Sequence, residues 1–243
     1  MLKRTLLNIA NMPLRPFGLQ IYRDGLDMES VLSRMPRGAR DVATVFDIGA
    51  SNGRWSRLAM PHFPKARFLA IDPLVEREPE LKRLKAQEPR FDYVLSVAGE
   101  QANGEVSIAV GDDPDTSTIG GSEGGARKVP SHSIDELCRV KAARGPYLLK
   151  FDTHGYEVPI LRGATETLRQ TSYIVMEVYN FRHTTDTLLF SEMCTLLEGM
   201  GFRCFNMVDP LQRPGDRSLW QMDFFFARAD DPVFAHETFR PAP

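Results

Sequence analysis

The chain has 243 residues, of which 42% are hydrophobic and 26% charged, and its formal net charge is −2. This profile is typical of a globular protein with one domain. No run of basic residues offers a surface for duplex nucleic acid, so no nucleic-acid partner is predicted. No stretch approaches the ~18 apolar residues of a membrane span, so no integral membrane segment is predicted either.

Three widely spaced cysteines, Cys138, Cys194 and Cys204, form no CxxC pair. Their number and spacing support neither a disulfide framework nor a zinc site. Reduced thiols are therefore expected, as in a cytoplasmic protein.

The first 41 residues are expected to form a helical extension that caps the domain. Asn8, Asn11 and Pro13 interrupt the early apolar run before it reaches the length of a signal peptide. The alternative is a short amphipathic helix over residues 2–11 that touches a membrane surface.

Short apolar runs alternate with helical patterns from residue 42 onward. The predicted strands cover residues 42–48, 67–71, 93–97, 106–110, 147–151, 173–178, 202–207 and 220–227. The predicted helices cover residues 54–62, 78–87, 134–143, 158–169 and 187–200. Ser133 and Glu136 form a capping-box pattern, and Gly201 is a typical residue after a helix end.

Strand–helix alternation predicts an α/β fold with a mostly parallel sheet and helices on both faces. The last two strands have no helix between them, so they are expected to form an antiparallel hairpin at the sheet edge. The sequence predicts one domain over residues 42–230 and a tail over residues 231–243. Residues 111–130 are rich in glycine and are expected to form either a substrate loop or a disordered loop.

The stretch from Asp47 to Gly53 places an acid at the end of a buried strand and glycines in the following turn. In an open parallel sheet, ligands bind at such a turn. The turn lacks the dinucleotide fingerprint GxGxxG, and Asp47 would repel a pyrophosphate. An ammonium group would be attracted instead, which favours S-adenosylmethionine (SAM), a molecule with an ammonium, a carboxylate and a sulfonium group.

A second acid, Asp72, ends the next predicted strand. A carboxylate at that position accepts hydrogen bonds from both hydroxyl groups of a ribose. The third predicted strand ends at Ser96 and Val97, which are placed to frame an adenine ring. The two acids and the glycine turn together favour an adenosine ligand.

Three polar residues, Lys150, Asp152 and His154, cluster where the predicted strand over residues 147–151 ends. Such a cluster beside a ligand-binding turn is where proton transfer is expected. The simpler alternative is that Lys150 and Asp152 form an ion pair that fixes the strand end, while His154 is a solvated loop residue.

Seven stretches of the chain resemble the FkbM family of SAM-dependent methyltransferases over about residues 42–228. They read VFDIGASNG, AIDPL, SVAGEQANGEVSIAVG, SIDEL, LLKFDTHGYEVPILRGATETL, YIVMEVYNF and MDFFFA. The most specific pattern is carried by Lys150, Asp152, Gly155, Glu157, Leu161, Gly163 and Ala164. Two positions depart from the expected pattern: Ser51 replaces a second glycine, and His154 stands where an acid or amide is more usual.

The resemblance implies a Rossmann-like, seven-stranded class I methyltransferase sheet that methylates hydroxyl groups, often on sugars or natural products. A small-molecule or glycan acceptor is therefore expected. The predicted cofactor-binding residues are Asp47, Gly49, Ala50, Ser51, Asn52, Gly53, Asp72, Pro73, Ser96, Val97 and Asp152. The predicted catalytic residues are Asp152, His154 and Lys150, with either Asp152 or His154 as the base.

Three other interpretations remain open at this point. Asp152, Glu177 and Asn180 offer oxygen ligands for Mg²⁺, although Glu177 is equally a structural acid at a strand end. The chain could be a non-catalytic SAM- or nucleotide-binding module. An NAD-dependent oxidoreductase is the third alternative, and the missing GxGxxG fingerprint disfavours it.

Overall fold

The computed structural model describes residues 12–13, 16, 27–109, 118–119, 127–182, 184, 187–236 and 238–239. Its β-strands are β1 (Thr44–Ile48), β2 (Arg67–Asp72), β3 (Phe91–Leu95), β4 (Val97–Ala98), β5 (Gly104–Ala109), β6 (Thr118–Ile119), β7 (Arg127–His132), β8 (Tyr147–Phe151), β9 (Thr171–Tyr179), β10 (Phe202–Gln212) and β11 (Leu219–Arg228). Its α-helices are α1 (Met28–Leu32), α2 (Arg54–Ala59), α3 (Glu78–Gln87), α4 (Ile134–Val140), α5 (Glu157–Arg162), α6 (Thr165–Arg169) and α7 (Phe190–Gly199).

The main sheet has seven strands in the order β10-β11-β9-β8-β1-β2-β3. The pairs β3–β2, β2–β1, β1–β8 and β8–β9 are all parallel. Strand β11 runs antiparallel to both β9 and β10, and it lies between them. The predicted Rossmann-like sheet with a reversed C-terminal hairpin is thus confirmed. The order reverses between β1 and β8, where such folds bind ligands.

A second sheet, with the order β4-β7-β5-β6, corrects two of the predicted strands. The strand predicted over residues 93–97 is divided, since β3 ends at Leu95 and β4 belongs to the second sheet. The strand predicted over residues 106–110 also joins the second sheet as β5, while Val110 lies outside the described residues. Residues 127–130, assigned to the glycine-rich loop, are the first part of β7. The alternate burial of Val129 and Ser131 is a strand pattern that the neighbouring glycines obscured.

The single helix predicted over residues 158–169 is wrong, because the chain forms α5 and α6 with a break at Gly163. The carboxylate of Asp135 in α4 accepts hydrogen bonds from the backbone N–H groups of Glu166 and Thr167, at 3.0 and 2.8 Å. This acceptor satisfies the first turn of α6 and so allows a new helix to begin there. The predicted cap is confirmed at Ser133, whose hydroxyl oxygen accepts from the Glu136 N–H.

Apart from residues 12–13 and 16, the N-terminal extension is described from Asp27 onward, and the predicted amphipathic helix over residues 2–11 lies outside the described residues. Helix α1 buries Met28, Val31 and Leu32 in the apolar core. Within the described ranges, no helix is long and apolar enough to span a membrane.

Two apolar clusters cover the two faces of the main sheet, and successive residues of β1 alternate between them. Phe46 and Ile48 belong to the first cluster, and Val45 belongs to the second. Asp47 therefore points to the same face as Val45, as does Lys150, which is opposite Asp47 in the β1–β8 pair. The face covered by the second cluster is thus apolar along the strands and becomes charged near the carboxyl ends of β1 and β8.

Gly163, at the break between α5 and α6, lies close to the backbone of Gly99. Its substitution by alanine tests whether this contact requires a glycine. A Cβ atom at Gly163 would lie 2.0 Å from the carbonyl oxygen of Gly99. We expect Gly163→Ala to lower the free energy of unfolding by about 1–3 kcal/mol, because the backbone must move to relieve the clash.

Gly199→Ala is the matched control, because a Cβ atom at this helical glycine would meet nothing within 4 Å. This variant is expected to be neutral or stabilised by up to about 1 kcal/mol. Urea unfolding of both variants is the measurement, and equal stabilities would contradict the steric account.

Candidate active site

The turn after β1 passes close to the carboxyl end of β8. Gly49 has φ 76° and Ser51 has φ 45°, both in the left-handed region. A Cβ atom at Gly49 would lie 1.9 Å from the backbone carbonyl oxygen of Asp152. Gly49 is therefore required for packing of the turn against β8 as well as for its backbone conformation.

Gly53 has φ 75° and lies at the start of α2. A Cβ atom there would lie 3.0 Å from the side chain of Leu84 in α3. The second glycine of the turn thus allows the helices to pack closely.

Asp72 holds this turn against the end of β2. Its carboxylate accepts hydrogen bonds from the backbone N–H groups of Ser51 at 2.7 Å and of Leu74 at 2.9 Å. Burial raises the pKa of Asp72, and these two hydrogen bonds oppose the rise. Each oxygen keeps a further lone pair that can accept a hydrogen bond from a ligand.

A cavity of about 840 Å³ opens at this edge of the sheet. Of the predicted cofactor-binding residues, the structure places in its lining Gly49, Ala50, Ser51, Asn52, Asp72, Pro73, Ser96, Val97 and Asp152. Asp47 and Gly53 are not among the lining residues, since Asp47 is buried behind the turn and Gly53 packs against Leu84 of α3. The lining residues that the sequence analysis did not select include Trp55, Arg54, Arg57, Asp209 and Asp223.

Asp47 is fully buried in the layer behind the cavity. Its Oδ2 accepts a hydrogen bond of 2.7 Å from the Ser56 hydroxyl, and its Oδ1 has no hydrogen-bond partner in the described part of the chain. Burial raises the pKa of Asp47, and the charge of Lys150, whose Nζ lies 3.8 Å from Oδ1, opposes this rise. Asp47 is therefore placed to stabilise Lys150.

Lys150 is only 3% exposed and stands between two carboxylates. Its Nζ donates a hydrogen bond of 2.8 Å to Asp152 Oδ2 and lies 5.9 Å from the ring centre of Trp55. Burial alone would lower the pKa of Lys150, but the charges of Asp152 and Asp47 raise it above the ordinary value. Lys150 thus remains a cation. The pKa of Asp152, which burial would raise, is lowered mainly by the charge of Lys150.

His154 lies in the loop after β8 with φ 50°. Its Nδ1 is 2.8 Å from the Tyr179 hydroxyl oxygen and 3.4 Å from Glu177 Oε1. Its Nε2 is 3.8 Å from Asp152 Oδ1. The hydrogen bond with Glu177 raises the pKa of His154, burial opposes the rise, and the charge of Asp152 adds to it.

Glu157 fixes the conformation of the loop that carries His154. Its Oε1 accepts hydrogen bonds from the Gly155 N–H at 2.9 Å and from the Thr153 hydroxyl at 3.1 Å. Burial raises the pKa of Glu157, and the hydrogen bond from Gly155 opposes this rise. The Asp-x-x-Gly-x-Glu part of the motif thus fixes the loop that follows the carboxyl end of β8.

Glu177 is hydrogen-bonded on both carboxylate oxygens. The Tyr179 hydroxyl donates to Oε1, and the side-chain amide of Gln221 donates to Oε2 at 2.7 Å. Burial and the charge of Glu177 raise the pKa of Tyr179, so this phenol remains protonated.

Two of the three predicted magnesium ligands, Asp152 and Glu177, come together in the structure. Asn180 donates from its side-chain amide to the carbonyl oxygen of Leu219 at 3.2 Å. Donor atoms of Asp152, His154 and Glu177 do lie within 4.8 Å of one another, a spacing that a cation could use. These three side chains already bind Lys150, Tyr179 and Gln221, so we interpret the group as a hydrogen-bonded network.

The structure also identifies residues that sequence analysis missed. Tyr179 and Gln221 are placed beside Glu177 by strand pairing across β9 and β11, which no sequence motif indicates. A weak signal existed for Asp223, because this acid interrupts the apolar run of the last strand, MDFFFA.

Comparisons with known proteins agree with this architecture. A family profile described as the methyltransferase FkbM domain matches residues 47–204. A protein named hexuronic acid methyltransferase AglP, from Haloferax volcanii, is 21% identical over 157 residues, which are 65% of this chain and 64% of that protein. The chain thus spans less than two thirds of the length of this relative.

Two solved structures are similar in fold. The FkbM methyltransferase of Methylobacillus flagellatus KT is 17% identical with a TM-score of 0.48, over 76% of this chain and 44% of that chain. The fibrillarin pre-rRNA processing protein of Methanococcus jannaschii is 14% identical with a TM-score of 0.51, over 80% of this chain and 70% of that chain.

Replacement of Lys150 by methionine tests whether this cation neutralises the buried acids. We expect Lys150→Met to lower the free energy of unfolding at pH 7 by about 3–5 kcal/mol, because Asp47 and Asp152 lose their cation. Without Lys150, the already raised pKa of Asp47 is expected to rise further, and burial is expected to raise the pKa of Asp152, which this cation no longer lowers. Folding then favours the protonated acids, so the variant loses stability as the pH rises from about 4 towards 7.

The control is Lys85→Met, which removes a half-exposed partner of Asp92 at 2.6 Å. We expect this change to cost less than about 1 kcal/mol. Urea unfolding at pH 5 and pH 7 is the measurement, and a Lys150→Met penalty that does not grow with pH would contradict the charge network.

Proposed function

The chain belongs to the FkbM family of methyltransferases, and we propose that it transfers the methyl group of SAM to a hydroxyl group of a sugar or related small molecule. SAM is the cofactor of this methyltransferase. The observation that carries the proposal is one cavity that is lined both by the glycine turn and by Lys150, Asp152 and His154.

The residues around the turn suit SAM. Ser96 is fully buried and lines the cavity, and its hydroxyl oxygen has no hydrogen-bond partner among the described residues. Asp72 keeps acceptor lone pairs for the ribose hydroxyls, and Leu74 and Val97 offer an apolar flank for the adenine ring. The backbone from Gly49 to Asn52 would hold the amino-acid end. When bound, SAM supplies an activated methyl group on a positively charged sulfur.

We assign the role of general base to His154. The Tyr179 hydroxyl donates its hydrogen bond to Glu177. The Tyr179 oxygen therefore accepts a hydrogen bond from His154 Nδ1–H. This arrangement fixes the tautomer and leaves Nε2 as the nitrogen that takes the proton of the acceptor hydroxyl. The imidazolium that forms is stabilised by Glu177 and by Asp152.

Asp152 is better suited to an electrostatic role than to that of base. Its ion pair with Lys150 lowers its pKa, and a carboxylate with a lowered pKa is a weak proton acceptor. Lys150 remains protonated and keeps the position of Asp152 fixed beside the His154 ring.

An acidic sugar is the acceptor class that we favour. The relative from Haloferax volcanii is named for a hexuronic acid. In this chain, Arg54 and Arg57 line the same cavity, and neither side chain has an ion-pair partner among the described residues. Arginine binds carboxylates through paired hydrogen bonds, so these residues suit the carboxylate of a uronic acid.

Loss of Asp72 tests the cofactor site. We expect Asp72→Ala to weaken the binding of S-adenosylhomocysteine at least tenfold, since about 1.5–3 kcal/mol is lost with hydrogen bonds to a charged group. Isothermal titration calorimetry is the measurement, with Asp230→Ala at an exposed site as the control. If NAD bound while S-adenosylhomocysteine did not, the cofactor assignment would fail.

Loss of His154 tests the base. We expect His154→Gln to lower kcat by about 10²- to 10⁴-fold and to leave the affinity for S-adenosylhomocysteine unchanged. His62→Gln, a change outside the cavity lining, is the control. Methyl transfer from radiolabelled SAM to methyl glucuronide and methyl galacturonide is the assay, and unchanged turnover in His154→Gln would rule out this base.

The pH dependence of kcat/KM supplies a second test. A base acts in its deprotonated form, and the pKa of His154 is raised above 6.5, so activity should rise with pH through a value above 6.5. Glu177→Gln removes the main cause of that rise. We expect it to move the rising limb to lower pH, whereas a limb that stayed in place would assign the titration to another group.

A further inference from the structure

Asp223 lines the active-site cavity but has no role in the methyl transfer proposed above. It lies on β11 directly opposite Glu177 of β9, and its side chain lines the cavity. Its face of the sheet is the one that carries Lys150, because Asp223 is two residues before the second-cluster residue Phe225. The residue thus borders the same space as the proposed base.

The side chain of Asp223 makes no hydrogen bond with any residue that the structure describes. The neighbouring acids differ in this respect, since Asp152 binds Lys150 and Glu177 binds Tyr179 and Gln221. A partly buried carboxyl group with open acceptor positions, next to a cavity, is suited to bind a hydrogen-bond donor on a ligand.

The charges around Asp223 come from several elements. Lys150 of β8 attracts it, while Glu177 of β9, Asp152 of the following loop and Asp209 of β10 repel it. Burial, and then these acids, raise the pKa of Asp223 to about 7. Like charges that are directly opposite on neighbouring strands destabilise a sheet, so this arrangement disfavours folding. An ionisable residue that lowers the stability of the fold and lies in a binding cavity is typical of a functional site.

We propose that Asp223 binds a second hydroxyl group of the acceptor, beside the one that is methylated, and so selects polyhydroxylated acceptors and fixes their orientation. Asp223 is a positioning residue, whereas His154 takes the proton. The acceptor is then held from two sides, by Asp223 on β11 and by the arginines of α2. This inference rests on the proposed function, because it requires a hydroxyl-bearing acceptor.

The test compares sugars with their deoxy analogues. Methyl glucuronide, methyl galacturonide and the corresponding 2-, 3- and 4-deoxy compounds are assayed for methyl transfer from radiolabelled SAM, with wild-type protein, Asp223→Ala and the exposed control Asp230→Ala. Among the analogues that keep the methylated hydroxyl, we expect the wild type to reject one by about 10- to 100-fold in kcat/KM, because the carboxylate of Asp223 is left without its donor. Asp223→Ala should lose this discrimination, mainly through a higher KM for the intact sugar.

Thermal unfolding separates this role from a structural one. At pH 8, where Asp223 is mostly ionised, Asp223→Asn removes the repulsion from Glu177, so its Tm should equal or exceed that of the wild type. A clear fall in Tm would assign Asp223 a structural role and overturn the inference.

The outcomes distinguish the two proposals. Wild-type protein that methylates none of the sugars would overturn the proposed function and the inference with it. Active wild-type protein whose discrimination persists in Asp223→Ala would overturn the inference alone. Equal loss of activity on intact and deoxy sugars would also overturn it, since a hydroxyl-specific contact predicts a difference.

Discussion

The buried cation Lys150 is the interaction on which the rest of the site depends. It stands opposite Asp47 across the central β1–β8 pair and donates to Asp152 at the end of β8. Removing a carboxylate and an ammonium group from water is costly unless opposite charges lie close together. The strand pairing at the point where the sheet order reverses therefore fixes the position of Asp152, and with it the position of His154.

The site combines three kinds of constraint that act on one edge of the sheet. Steric contact brings the turn at Gly49 against the backbone of Asp152. Hydrogen bonding holds the His154 loop through Glu157 and orients the imidazole through Tyr179. Burial of Asp223 and its repulsion from Glu177 act against stability, and together they leave a carboxyl group with a raised pKa in the cavity. Stability is thus lowered at the position that we propose binds the acceptor.

Much of the fold follows from the sequence, because periodicity and chain order are local signals. The mostly parallel sheet with its reversed hairpin, the first glycine turn and the cluster after β8 were predicted from these signals, and the number of seven strands was implied by the family resemblance. The break at Gly163 and the division of the strand after Leu95 were not, since the first depends on the hydrogen bonds that Asp135 of α4 accepts and the second on pairing with β7. Asp47 was expected at the cofactor, but its register opposite Lys150 places it behind the wall of the cavity. Register is a long-range property that the sequence of one strand does not specify.

The central claim is that the glycine turn and His154 form one active site. ¹⁵N-histidine NMR of the full chain, with and without S-adenosylhomocysteine, tests it directly, and His154→Gln identifies the relevant imidazole signal. The account predicts that the ligand shifts the His154 signal and leaves the His62 signal unchanged. If S-adenosylhomocysteine bound and the His154 signal did not move, the glycine turn and the proposed base would belong to separate sites.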